Sequence, residues 1–185
     1  MVQNIILALL LLFTMSCDSD NTDSRDGKKY RVIKIGEQIW MAENLNYNAE
    51  GSECYGKDPV NCQKYGRLYN WKTAKTVCPS GWHLPSNDEW QTLVSLTGGK
   101  NLKASRGWNG AGYSQDTYSF SALPGGYGIP DGYFLNVGNI GYWWTSTEDN
   151  GDYAYARDMV YDDETAYYND NDKNNLYSVR CLHDK

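Results

Sequence analysis

Trp90, Leu93, Val94 and Thr97 recur at helical spacing between Ser86 and Gly98-Gly99, which predicts an amphipathic helix with both ends marked. Ser86 followed three residues later by Glu89 is a capping box, in which each residue's side chain accepts from the other's backbone N–H. Upstream, Trp71, Ala74 and Val77 form the apolar face of a shorter helix from Asn70 to Val77, just ahead of Cys78. Elsewhere the period is two. Tyr30–Ile35 turns at Gly36-Glu37 into Gln38–Ala42 as a hairpin. Tyr65–Tyr69 reads as a strand or an extended entry to the first helix, and Gly141–Ser146 as a core strand. Tyr153–Tyr161 and Thr165–Tyr168 form a second hairpin, broken at Asp162-Asp163-Glu164. Asn169–Asn175 reads as a polar loop, and Leu176–Leu182 as a closing strand with Tyr177, Val179 and Cys181 on one face. Between helix and sheet, Lys100–Gln115 and the segment around Tyr133–Leu135 are Gly-bearing loops, and Pro124-Gly125-Gly126 is a turn. Two short helices followed by a late antiparallel sheet make the fold class α+β.

The N-terminus adds a targeting segment. Ile5–Phe13 is an apolar run too short to span a bilayer and of signal-peptide length. It runs into Thr14-Met15-Ser16-Cys17, which resembles a bacterial lipobox, although Thr14 stands where Leu is usual and Met1–Ile5 carries no Lys or Arg. An ordinary secretory signal cleaved near Ser16 is the alternative, and either one takes the chain out of the cytoplasm. The expected organisation is residues 1–16 as a lipoprotein-type signal peptide, 17–27 as lipid anchor and polar tether, and 28–185 as the folded domain. The partner this implies is a membrane, through a lipid on Cys17. The expected location is the bacterial cell envelope, at the outer membrane or cell surface.

The chain has five Cys, so Cys17 is the one left over from full pairing. Cys54 and Cys62 flank a Lys57-Asp58-Pro59 turn and are expected to pair with each other, and Cys78 with Cys181. A zinc site made from all four thiolates is the rival, but no C-x₂-C spacing supports it.

Composition narrows the function. With 16 Tyr and 7 Trp against 3 Phe, the aromatics carry polar edges, which suits a small domain with wet aromatic loops. A net charge of −6 argues against nucleic acid, whose phosphates need a basic face.

Several segments resemble the Fibrobacter succinogenes major paralogous domain, a family of secreted and lipid-anchored bacterial proteins. They are Ile35–Leu45, Tyr65–Trp71, Cys78–Trp90, Phe120–Gly126, Trp144–Glu148 and Ser178–Cys181, in order between Lys28 and His183. More distantly, Trp71–Cys78, Gly81–Pro85 and Glu89 resemble the two-helix core of C-type lectin-like domains. There a Cys after the first helix pairs with one in the final strand, as expected here for Cys78 and Cys181. The resemblance implies a disulfide-stapled C-type lectin-like fold with a twisted antiparallel sheet and long loops, related to the formylglycine-generating enzymes. It implies no established activity.

Candidate chemistry is sparse. His83 and His183 are the only histidines, and His83 in its Gly-Trp-His-Leu-Pro connector is expected to fix backbone groups rather than to catalyse. The formylglycine-generating relatives use reactive, copper-binding cysteines, whose segment finds no match here. Sugar-binding C-type lectins place Glu-Pro-Asn or Gln-Pro-Asp and then Trp-Asn-Asp around calcium. This chain has Ile129-Pro130-Asp131 and Trp144-Thr145-Ser146 instead, so Asp162, Asp163, Glu164, Asp170 and Asp172 read as a solvated acidic hairpin tip. No catalytic residue, metal or cofactor is therefore expected. Tyr161, Asp163, Tyr167, Tyr168 and Asn169 are the candidate ligand-binding residues, because sugars stack on Tyr while Asn and Asp bond their hydroxyls. Tyr155, Trp143 and Trp144 are expected in the core. The function expected is a non-catalytic binding or adhesion module for a polysaccharide or a cell-surface protein. The alternatives are a structural envelope protein and an enzyme of formylglycine-generating type.

Overall fold

The computed structural model describes residues 21–110 and 113–185 of the protein. The segments expected as signal peptide and lipobox, with Cys17, lie outside the described residues.

The first hairpin forms where alternation predicts it, β1 (Val32–Ile35) with β2 (Gln38–Met41), Ile35 opposite Gln38 across the Gly36-Glu37 turn. Short strands β3 (Ser52–Glu53) and β4 (Leu68–Tyr69) flank helix α1 (Pro59–Tyr65), and α2 (Trp71–Ala74) follows. Strand β5 (Trp82–His83) leads into α3 (Asn87–Thr97). A small ribbon of β6 (Tyr127–Gly128) and β7 (Phe134–Leu135) precedes the long strands β8 (Ile140–Glu148), β9 (Tyr153–Val160) and β10 (Ala166–Asp172). The chain closes with β11 (Tyr177–Ser178) and β12 (Leu182–His183).

The main sheet has the order β10-β9-β8-β11-β4-β3, and a second runs β1-β2-β12-β5. Trp143 and Trp144 are neighbours on β8, so the pleat sends them to opposite faces, one into each hydrophobic core. Trp143 joins Trp40, Trp90, Leu93, Phe120 and Met159 beneath α3. Trp144 joins Tyr30, Tyr69, Trp71, Tyr177, Val179 and Cys181 on the other side.

The capping box at α3 is complete. Ser86 Oγ accepts from Glu89 N at 3.2 Å, and a Glu89 oxygen accepts from Ser86 N at 2.8 Å. Gly98 then stops the helix at φ +69°, a conformation that favours glycine, with its N–H on Val94 O. Gly99 lets β10 approach: a Cβ there would lie 2.5 Å from the Ala166 nitrogen. Both expected disulfides are present, Cys54–Cys62 and Cys78–Cys181.

Several expectations need correction. The stretch read as a tether over 17–27 is already part of the domain from residue 21. Asp23 is fully buried and takes two bonds from the Arg25 guanidinium, at 2.8 and 2.7 Å. Arg25 in turn donates to Val77 O and lies 3.9 Å from the Tyr47 ring centre. Lys57-Asp58-Pro59 begins a helix, α1, where a turn was expected. Asp58 caps it by accepting from Val60 N, and Pro59 occupies the first turn, where its missing N–H costs nothing. Helix α2 is four residues long rather than eight, running from the Asn70 cap, whose side chain accepts from Thr73 N, to Ala74. Its expected apolar face, Trp71, Ala74 and Val77, is buried nonetheless. The expected closing strand Leu176–Leu182 divides between two sheets. β11 pairs parallel with β8, so the main sheet is mixed and not purely antiparallel.

Three cations are buried without a salt bridge to a carboxylate. Arg180 gives Nε and Nη2 to Asn44 Oδ1, at 3.2 and 2.8 Å, gives Nη1 to Phe120 O, and lies over the Phe120 ring. Burial brings its pKa down to about 9. Lys103 holds the carbonyls of Val160 and Asp163 from beneath the β9–β10 turn. Arg157 donates to Asn87 O and to Gln91 Oε1 on α3.

Candidate functional site

Strands β8, β9 and β10 form the outer half of the main sheet, and β10 is its edge. Their register aligns Tyr142 with Asp158 and Asp158 with Tyr167, so three side chains stand in one row across three strands. They project from the face opposite α3. Asp158 is only 6% exposed, and its one hydrogen-bond donor among the described residues is Asn169 Nδ2, at 3.1 Å from Oδ1. Burial raises the Asp158 pKa, with Asn169 and Arg157 pulling the other way. Burial, with the Asp158 charge second, pushes the Tyr142 phenol up to about 12. Beside the row, Tyr142 stacks on Tyr177 with ring centres 4.7 Å apart, and Tyr127 meets Tyr142 edge-on at 5.2 Å. Tyr177 donates to Asn171 Oδ1 at 2.8 Å. The result is an aromatic and carboxamide face with a recessed carboxylate at its centre.

The structure separates the five candidate ligand-binding residues. Tyr167 donates to Asp163 Oδ2 at 2.8 Å, and Asp163 Oδ1 accepts from Thr165 N. The Thr165 N–H, then the Tyr167 hydroxyl, hold the Asp163 carboxyl below its usual range. Asn169 follows Tyr167 on the same face and bonds Asp158. Tyr168 points the other way, under the Arg157 guanidinium at 4.9 Å and 6.2 Å from the Tyr155 ring. Tyr161 packs on the 108–110 loop, where a Cβ on Gly110 would lie 2.9 Å from its ring. Asn169–Asp172, expected as loop, are strand, held by pairing with Ala156–Tyr153.

Tyr142 and Asp158 escaped the sequence reading. The signal for Asp158 was present: it extends the buried stripe Ala154, Ala156 by one step of two, placing a carboxylate on the face that packs.

A cavity of about 520 Å³ lies elsewhere, between the β1–β2 turn, α3 and the C-terminal residues. At its wall His83 Nδ1 meets Asp184 Oδ1 at 2.6 Å and Nε2 meets Glu89 Oε1 at 3.1 Å. Two carboxylates on one imidazole occupy both ring nitrogens, leaving neither to abstract a proton. His83 thus bonds side chains rather than the backbone groups expected for it, and it ties α3 to the chain end. Burial raises the Glu89 pKa, but the Ser86 N–H and hydroxyl and His83 outweigh it and the net shift is down. Among the described residues, no three His, Cys, Asp or Glu side chains converge as metal ligands, and no helix is long and apolar enough to cross a membrane.

Fold and site together define a small α+β domain with two disulfides and an aromatic sheet face. The model of the Fibrobacter succinogenes major domain matches residues 33–183, and the chain belongs to that family. Searches of curated proteins and of solved structures return no significant match.

Proposed function

We propose that the chain is a bacterial envelope lipoprotein, anchored through Cys17, whose C-type lectin-like domain binds polysaccharide without catalysis. The observation that carries this reading is the Tyr142–Asp158–Tyr167 row with Asn169 beside it. Tyrosine rings offer flat apolar surface to the C–H faces of a sugar, and the neighbouring carboxylate and carboxamides offer acceptors and donors to its hydroxyls. The bridge from the end of the α2 segment to the last strands supports the lectin-like topology. Cys54, Cys62, Cys78 and Cys181 are all held in disulfides, which favours binding over chemistry of the formylglycine-generating type.

The test is a binding isotherm of the full chain on insoluble plant and bacterial polysaccharides. Tyr167→Ala and Tyr168→Ala run beside it, each singly. Saturable binding that weakens about tenfold in Tyr167→Ala and hardly at all in Tyr168→Ala supports the reading. No binding by the folded, oxidised protein overturns it in favour of an envelope protein partner. Metabolic labelling with a radiolabelled fatty acid tests the anchor, because Cys17→Ser must abolish incorporation.

A further inference from the structure

The charges around the Tyr142–Asp158–Tyr167 row narrow the ligand further. Asp158 spends one oxygen on Asn169 and, among the described residues, has no ion-pair partner. Each basic group in this half of the sheet is committed elsewhere. Arg157 turns to the opposite face and bonds α3. Lys103 is buried under the turn, on two carbonyls. Lys100 pairs with Glu164, and Lys173 with Glu148 and the carbonyls of Asn150 and Gly151. An anionic sugar arriving here would find a buried negative charge and no free cation to compensate it, which costs binding. An ammonium would find the reverse: a recessed carboxylate between ring faces whose quadrupoles attract cations. Tyr142 and Tyr167 stand two strands apart, roughly 9.5 Å between backbones, with Asp158 on the strand between them.

We propose that Asp158 is the anionic centre of a subsite on this sheet face that recognises the ammonium of an amino sugar, flanked by Tyr142 and Tyr167. The proposal rests on the face being glycan-binding. It adds that free amines are preferred over acetylated ones and that uronates are rejected.

The test compares three probes on the full chain: deacetylated chitosan at a pH where its amines are charged, fully acetylated chitin, and polygalacturonate. The expected result is at least tenfold tighter binding to chitosan than to chitin, and none to polygalacturonate. Asp158→Asn must remove most of the chitosan preference, weakening binding to chitosan far more than binding to chitin. Asp170→Asn, which deletes an exposed charge on the other face of the sheet, on the neighbouring strand β10, must leave the preference intact. Equal losses in both variants would reduce the effect to bulk charge and overturn the subsite. So would polygalacturonate binding, or an Asp158→Asn protein that keeps its preference. Should Asp158→Asn fail to show native near-ultraviolet dichroism, competition by free glucosamine against N-acetylglucosamine on the wild-type chain decides: equal potency overturns the proposal. Tyr167-dependent binding to neutral glycans without an amine preference defeats this inference alone, and no glycan binding at all defeats both.

Discussion

Removing the Cys78–Cys181 bridge should cost this protein nearly twice what removing Cys54–Cys62 costs. The two half-cystines are 103 residues apart in the first bridge and 8 in the second. In the chain-entropy account a cross-link restricts the unfolded ensemble in proportion to the logarithm of the loop. That gives about 4.7 kcal/mol for the long loop and about 2.6 kcal/mol for the short one. Packing does not separate the two bridges: Cys181 is fully buried and Cys78 half-buried, while Cys54 and Cys62 are both buried. The variants are Cys78→Ala/Cys181→Ala and Cys54→Ala/Cys62→Ala, unfolded in urea and followed by tryptophan fluorescence. With an m-value of about 2 kcal/mol/M, the two midpoints should differ by about 1 M, the long-loop variant unfolding first. Equal midpoints, or the reverse order, would refute the entropic ranking and put the stabilisation in local native contacts.

Asn44→Ala should cost about 3–5 kcal/mol, because one carbonyl oxygen, Asn44 Oδ1, receives Trp143 Nε1 at 2.9 Å and two Arg180 donors inside the core. A thermal melt showing a loss under about 1 kcal/mol would mean that water replaces it. Asp158→Asn should stabilise the domain at neutral pH. Folding raises the Asp158 pKa above 3.8, so the contribution of this group is fully present below that value and is lost as pH rises through the folded pKa. The variant's advantage in midpoint should therefore be greatest near pH 7 and fade as the pH approaches 4. A midpoint below wild type at neutral pH would show that the charge is compensated.

What was legible in the sequence is what short-range chemistry determines. The Ser86–Glu89 box and the Gly98 stop act within one turn of helix, so they can be read without knowing what α3 packs on. The same holds for the β1–β2 hairpin, whose turn and register lie within ten residues. Helix α1 had equally local marks, an Asp cap and a first-turn Pro, but with only Cys62 and Tyr65 buried it shows no apolar period to announce a helix. For the site, the pleat already implies that Tyr167 and Tyr168 cannot share a face. What the chain does not spell out is the partner of each. The row depends on Tyr142 facing Asp158, and the register of β8 slips between Trp144 and Glu148. There Ser146 N turns away from β9 to Pro85 O, and Thr145 reaches β9 through its side chain, Oγ1 donating to Tyr155 O. The two extra residues of β8 there keep the alternation of faces but move every later β8 residue two places against β9. Only the half before it, which carries Tyr142, stays in step with β9. The carboxylate between the tyrosines is thus a product of register across three strands, and Asp158→Asn is the substitution on which the sugar reading and the stability reading make opposite demands.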